Sequence, residues 1–274
     1  MEIFSHSYSN LANKELDWLI SDTEVNYNVN KKYNFEKLKT YGWDDPGNFF
    51  TYKFNEHGFR SESFDTTKEK IMFLGCSYTA GVGISVCDRW PKLVADQLNL
   101  YELNLGIGGS SSDTAFRLAW YWIPKLNPKI VVCLPPPGQR FEFFSESSKE
   151  IINLNSVYIH EQTNLNKAIS DSYKSFVLSR QNIFFKQLKN LMAIDYICSS
   201  NNIKLVIPNI RNFSRVDDNL IDLARDLMHP GIKSNLLFSQ TVLNDIDSSK
   251  QLERHFYPID LWHQHPAKSW LNEF

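Results

Sequence analysis

Four short apolar runs, at residues 71–74, 101–105, 130–134 and 203–207, alternate with helix-length segments, and this alternation constrains the fold more than any other feature of the chain. Each run is rich in β-branched or large apolar residues and is bounded by turn signals, so each reads as a buried strand. Between the first two, Trp90, Leu93, Val94 and Leu98 recur at helical spacing behind Pro91, a residue suited to a first turn. Residues 114–123 form a second helical segment bounded by Pro124, and residues 176–199 are long enough for one extended helix or two consecutive ones. After His229-Pro230-Gly231, the residues Phe238, Val242 and Ile246 fall on one helical face. Strand–helix–strand order of this kind predicts a parallel sheet with helices on both faces. Its core would span residues 68–247, within a chain read as one domain. Functional groups in such sheets gather at the carboxyl ends of the strands.

The flanks are less regular. Residues 1–67 read as an N-terminal extension packing on the core, with a helix over 11–20 and an extended piece over 49–54. The Ser-, Asn- and Glu-rich stretch 145–170 reads as a long loop or insertion, and 248–274 as a tail without a period. A net charge of −2 provides no electrostatic footprint for nucleic acid. No window approaches the length of apolar sequence that spans a membrane, so no membrane partner is expected. The first twenty residues lack a basic start followed by an apolar stretch, which argues against a secretory leader. The four cysteines include no CxxC pair and no zinc-finger spacing. Cys133 and Cys198 lie in apolar runs and read as buried thiols, which fits a reduced, cytoplasmic setting.

Chemistry concentrates in three places. Ser77, in Gly75-Cys76-Ser77-Tyr78-Thr79, follows the first strand on a tight turn that would present its hydroxyl at the sheet edge. The plainer reading of such a serine is a helix N-cap. Asn104-Leu105-Gly106-Ile107-Gly108-Gly109 follows the second strand, and its glycines allow close backbone approach. It is not a dinucleotide fingerprint, because Ser111 stands where GxGxxG requires glycine. A phosphate cradle and an N–H donor loop beside a nucleophile both remain open. Asp226-Leu227-Met228-His229-Pro230 holds a carboxylate three residues before a histidine, an arrangement that can orient an imidazole as a general base. The same residues would also suit a helix start. Asp260-Leu261-Trp262-His263-Gln264-His265-Pro266 repeats the spacing, but without a strand ahead of it or an amphipathic helix behind it. Asp226 and His229 are therefore preferred. His263 and His265 with one carboxylate make a poor metal set on an irregular tail.

Taken together, these residues resemble the SGNH (GDSL-type) hydrolases. Gly75-Cys76-Ser77-Tyr78-Thr79-Ala80-Gly81 is similar to the first motif of that family, Asn104 through Gly109 to the second, and Asp226 through Gly231 to the last. The resemblance implies a flavodoxin-like three-layer α/β sandwich with a parallel sheet. It also implies Ser77 as nucleophile, His229 as base oriented by Asp226, and the Ser77 and Gly109 N–H groups as oxyanion donors. No metal or cofactor is implied. Two departures stand out: Cys76 replaces the usual aspartate, and the segment Cys133-Leu134-Pro135-Pro136-Pro137-Gly138-Gln139-Arg140 lacks the asparagine of the family's Gly-x-Asn-Asp. Gln139 or Arg140 could supply the missing donor, unless Arg140 instead pairs with Glu142. The expected function is ester hydrolysis, on an O-acyl group of a carbohydrate or on a small ester. An O-acyltransferase, or a catalytically impaired binding or structural protein on the same fold, are the alternatives.

Overall fold

The computed structural model describes residues 5–144, 151–155, 171, 175, 177–208 and 222–248. The N-terminal part contains β1 (Glu15–Leu16), α1 (Glu24–Tyr33), α2 (Phe35–Thr40) and β2 (Tyr52–Lys53), with β1 and β2 paired antiparallel. There follow β3 (Lys70–Leu74), the single-turn helix α3 (Ser77–Ala80), α4 (Trp90–Gln97), β4 (Tyr101–Asn104), α5 (Ser112–Leu126) and β5 (Ile130–Cys133). The chain continues through β6 (Arg140–Phe144), β7 (Ile151–Asn155), α6 (Arg180–Ser200), β8 (Lys204–Val206) and α7 (Ile232–Asp247).

The four predicted strands form one parallel sheet in the order β4-β3-β5-β8, with Ile71 opposite Ile130 and Lys70 opposite Tyr101. Numbered among themselves they run 2-1-3-4, the doubly wound order of flavodoxin-like sheets. Alternate residues of each strand face opposite layers. Met72, Leu74, Leu103, Val131, Cys133 and Leu205 pack with Leu118, Ala119, Trp122 and Ile123 of α5 and Ile194 and Cys198 of α6. Ile71, Phe73, Ile130, Val132 and Val206 pack with Trp90 and Val94 of α4 and Phe238, Val242 and Ile246 of α7. Helices on both faces leave β5 and all of β3 after Lys70 buried, which is why these strands are apolar at consecutive positions rather than at every second one. The result is a three-layer α/β sandwich.

Three expectations need correction. The helix expected over 11–20 does not form. A 3-10 turn, Ser9–Leu11, ends at Ala12, Asn13 takes a left-handed φ of 58°, and Glu15 and Leu16 pair with β2. The apolar residues of that stretch are used singly: Leu19 joins the main core, while Trp18 meets Tyr27 and Phe49. The first α-helix begins instead at Glu24, where the Thr23 side chain accepts the Asn26 N–H at 3.1 Å. Pro124 does not stop α5, which runs on to Leu126 and closes at Asn127, left-handed at φ 43°. So close to the helix end, the missing N–H removes only one hydrogen bond. The carbonyl left without it belongs to exposed Trp120, where water is at hand. Finally, part of the expected 145–170 loop is strand: β7 pairs antiparallel with β6, Arg140 opposite Asn155.

Candidate active site

The turn after β3 is close-packed. A Cβ on Gly75 would overlap Thr79 Oγ1 and approach the Leu134 carbonyl, so no larger residue fits. Extended Cys76 turns the chain, and its carbonyl accepts the N–H groups of Thr79 (3.0 Å) and Ala80 (2.9 Å). Ser77 thereby becomes the first residue of α3 and is 5% exposed. Buried Arg60, from the N-terminal part, donates to the carbonyls of Ala80, Gly81 and Ile84 and so holds the exit of this turn. Among the described residues, neither the N–H nor the hydroxyl of Ser77 has a hydrogen-bond partner.

Across from it, the loop after β4 has little freedom. Asn104 is fully buried, donating to the Thr79 carbonyl at 2.8 Å and accepting the Gly106 N–H at 2.9 Å. The Ile107 N–H goes to the Gly75 carbonyl, the Gly108 N–H to the Tyr8 hydroxyl and the Ser110 N–H to the Ile107 carbonyl. A phosphate cradle would need these donors, and the protein itself consumes them. Exposed Gly109, left-handed at φ 74°, keeps its N–H without an acceptor among the described residues.

The side chains of Asp226 and His229 do not cap α7. Asp222 takes that part, accepting the N–H groups of Lys233 (2.8 Å) and Ser234 (2.9 Å). Asp226 and His229 are left to each other: His229 Nδ1 lies 2.6 Å from Asp226 Oδ2, with the carboxylate fully buried and the imidazole 12% exposed. Asp226 Oδ1 accepts the Met228 and His229 N–H groups at 3.0 Å each. Burial pushes the Asp226 carboxyl up, but the hydrogen bond and charge of His229, with hydrogen bonds from Ser21 and Met228, outweigh it and hold the group below its ordinary value. An ionised Asp226 fixes the proton of the imidazole on Nδ1 and leaves Nε2 as the acceptor. The Tyr78 ring stands edge-on to the imidazole, with centroids 5.5 Å apart. The residue next to Ser77 thus touches His229, but no hydrogen bond joins the Ser77 hydroxyl to His229 among the described residues.

The loop between β5 and β6 carries Gln139 on a tight turn that leads into Arg140, the first residue of β6, whose N–H reaches the Pro137 carbonyl at 3.2 Å. The Arg140–Glu142 salt bridge does not form. Glu142 is held bidentately by Arg117, at 2.7 and 2.8 Å, and accepts from the Thr114 hydroxyl. Among the described residues, Nε and Nη1 of Arg140 are buried without a hydrogen-bond partner. Burial, with Cys76 alongside, raises the Tyr78 phenol to about 12, and the charge of Arg140 opposes that rise, so the guanidinium acts on the residue next to Ser77. Gln139 is half-buried on the same turn, and its side chain makes no hydrogen bond among the described residues.

Residues 1–67 contribute groups that no local pattern pointed to. Ser21 donates to Asp226 Oδ2 at 2.7 Å, and Asn30 donates to the Asp226 carbonyl at 3.2 Å. Asp22 pairs with Arg225, the residue before Asp226, at 2.7 Å in full burial. The competing Asp260, His263 and His265 lie outside the described residues. Among the described residues there is no cluster of three His, Cys, Asp or Glu side chains suited to a metal, and no helix long and apolar enough to cross a membrane.

No protein-family model matches the chain, and no curated protein matches its sequence. Solved structures similar to it include the psychrotrophic esterase EstA from Pseudoalteromonas sp., inhibited by monoethylphosphonate: 15% identity, TM-score 0.35, covering 74% of this chain and 99% of that one. A member of the lipolytic protein G-D-S-L family from Veillonella parvula matches at 13% identity and TM-score 0.34, over 64% and 97% of the two chains. The acetyl xylan esterase Est2A from the rumen bacterium Butyrivibrio proteoclasticus matches at 11% identity and TM-score 0.39, over 64% and 63%.

Proposed function

We propose that the chain is a serine hydrolase of the SGNH type that cleaves an ester through an acyl-enzyme. The observation that carries this reading is the Asp226–His229 pair: a fully buried carboxylate 2.6 Å from Nδ1, beside the turn that begins with Ser77. Such a pair has no structural duty as a helix cap, since Asp222 performs that one. Ser77 Oγ attacks the acyl carbon while His229 Nε2 takes its proton, and Asp226 stabilises the imidazolium that forms. The N–H groups of Ser77 and Gly109 receive the oxyanion, and both lack other partners among the described residues. Arg140, whose Nε and Nη1 are unpartnered, is the third donor in place of the family's asparagine, with Gln139 on the same turn. His229 then returns its proton to the departing alcohol, and a water activated by the same imidazole releases the acid. The substrate class is an O-acyl group on a carbohydrate or a small ester.

A fluorophosphonate probe tests this. Wild type is expected to label and Ser77→Ala not to. Folded wild type that neither labels nor hydrolyses p-nitrophenyl acetate would sink the proposal.

A further inference from the structure

We infer that Ser21, from the N-terminal part of the chain, is a positioning residue of the active site, fixing the Asp226 carboxylate and through it the His229 imidazole. The inference rests on the triad reading above. The geometry converges on one atom: Asp226 Oδ2 accepts from His229 Nδ1 at 2.6 Å and from Ser21 Oγ at 2.7 Å, and Ser21 Oγ is 3.5 Å from that same Nδ1. The other carboxylate oxygen is held by two N–H groups of its own loop. Among the described residues, Ser21 is the donor to this carboxylate that comes from outside the 226–229 segment. Without it, Oδ2 would accept from the imidazole alone, and the oxygen that orients the base would lose its second anchor.

Ser21 is delivered by a turn that is itself fixed. Leu19 and Asp22 exchange both backbone hydrogen bonds, at 2.8 and 3.0 Å, leaving Ile20 and Ser21 at the tip. Ile20 adopts a left-handed φ of 57°, a true outlier for a β-branched residue, and strain of this kind persists where the surroundings over-determine it. The surroundings are on hand. Asp22, next to Ser21, makes the buried ion pair with Arg225, next to Asp226, so the two loops are clamped one residue from the hydrogen bond in question. The Asn26 side chain also donates to the Ser21 carbonyl at 2.8 Å. Besides this clamp, the titratable group facing the Asp226–His229 pair among the described residues is Tyr78 of α3, edge-on to the imidazole, with Cys76 and Arg140 acting on it in turn.

The test compares Ser21→Thr with Ser21→Val, which have the same bulk and differ in the hydroxyl. Turnover of p-nitrophenyl acetate is followed across the pH range, beside wild type and Ser77→Ala. Ser21→Thr should keep the wild-type kcat and pH profile. Ser21→Val should lose on the order of ten- to hundredfold in kcat at unchanged KM, the effect of a hydrogen bond to a charged group. Its acidic limb should move to higher pH, because a carboxylate relieved of one donor holds the imidazolium more strongly. Ser77-dependent turnover that both variants keep, or both lose alike, overturns the inference and leaves the triad standing. Turnover that survives Ser77→Ala overturns the triad and this inference with it.

Discussion

Replacing Asp22 by alanine should destabilise the protein by about 3–5 kcal/mol, the usual cost of removing one partner from a buried ion pair. Asp22 and Arg225 are 0% and 1% exposed at their side chains. Arg225 Nε donates to Oδ1 at 3.0 Å and Nη2 to Oδ2 at 2.7 Å, while the Tyr52 hydroxyl donates to the same carboxylate. In Asp22→Ala the guanidinium keeps its bond to the Asp17 carbonyl and its places over Trp18 (4.2 Å) and Phe50 (4.4 Å), but no anion. Ring contacts of this kind contribute about 0.5–2 kcal/mol and do not offset a buried charge. With a urea m-value of about 3 kcal/mol/M, the unfolding midpoint should fall by about 1–1.7 M. Because the penalty is an uncompensated charge, the double variant Asp22→Ala/Arg225→Met should be more stable than Asp22→Ala alone. Trp18 and Trp43 lie in the affected region and report unfolding by fluorescence. A loss below about 1 kcal/mol, or a double variant whose loss equals the sum of the single ones, would refute the reasoning.

Asp226→Asn should keep the fold yet lower Ser77-dependent hydrolysis by about 10⁴-fold, because an amide favours the wrong imidazole tautomer; unfolding curves beside initial rates separate the two effects. Gly108→Ala should destabilise by about 1–3 kcal/mol, since its Cβ would overlap Ile20 Cδ1 and the Tyr8 hydroxyl. Gly109→Ala meets open space and bears only the strain of φ 74°, so its calorimetric melting temperature should fall less. His6 donates from Nε2 to the His57 carbonyl and accepts the Tyr8 N–H at Nδ1, which only the neutral ring can do. Burial, above other causes, lowers it from 6.5 to about 3. The unfolded chain therefore binds the proton first as the pH falls. Stability should be complete above 6.5 and decline toward about 3 by about 1.4 kcal/mol per pH unit. His6→Asn removes this component, so wild-type and variant urea midpoints that stay parallel from pH 7 to 5 would contradict it.

The sheet and its four main helices were legible because local period encodes burial. Strands covered on both faces are apolar at successive positions, and Phe238, Val242 and Ile246 can meet a sheet only from a helix. The loops of Ser77, Gly109 and Asp226 were legible for a related reason, since tight turns and close approaches restrict which residues can occupy them. The N-terminal part was not. Leu11, Trp18 and Leu19 fall at i, i+7 and i+8, yet Leu11 and Leu19 pack with the main core while Trp18 packs with Tyr27 and Phe49, and no periodic rule describes residues used singly. Glu142 was nearer in sequence to Arg140, but Arg117 of α5 holds it bidentately, and among the described residues Nε and Nη1 of Arg140 have no hydrogen-bond partner.

The chain by itself therefore determined a doubly wound sheet and the residue types at its carboxyl edge, because both follow from interactions among near neighbours. Only the tertiary structure decided that Ser21 reaches Asp226 across 205 residues of sequence and that Arg60 holds the turn of Ser77. A hydrogen bond between two single side chains leaves no pattern on the segments around it. It exists because the packed core brings those two atoms within 2.7 Å.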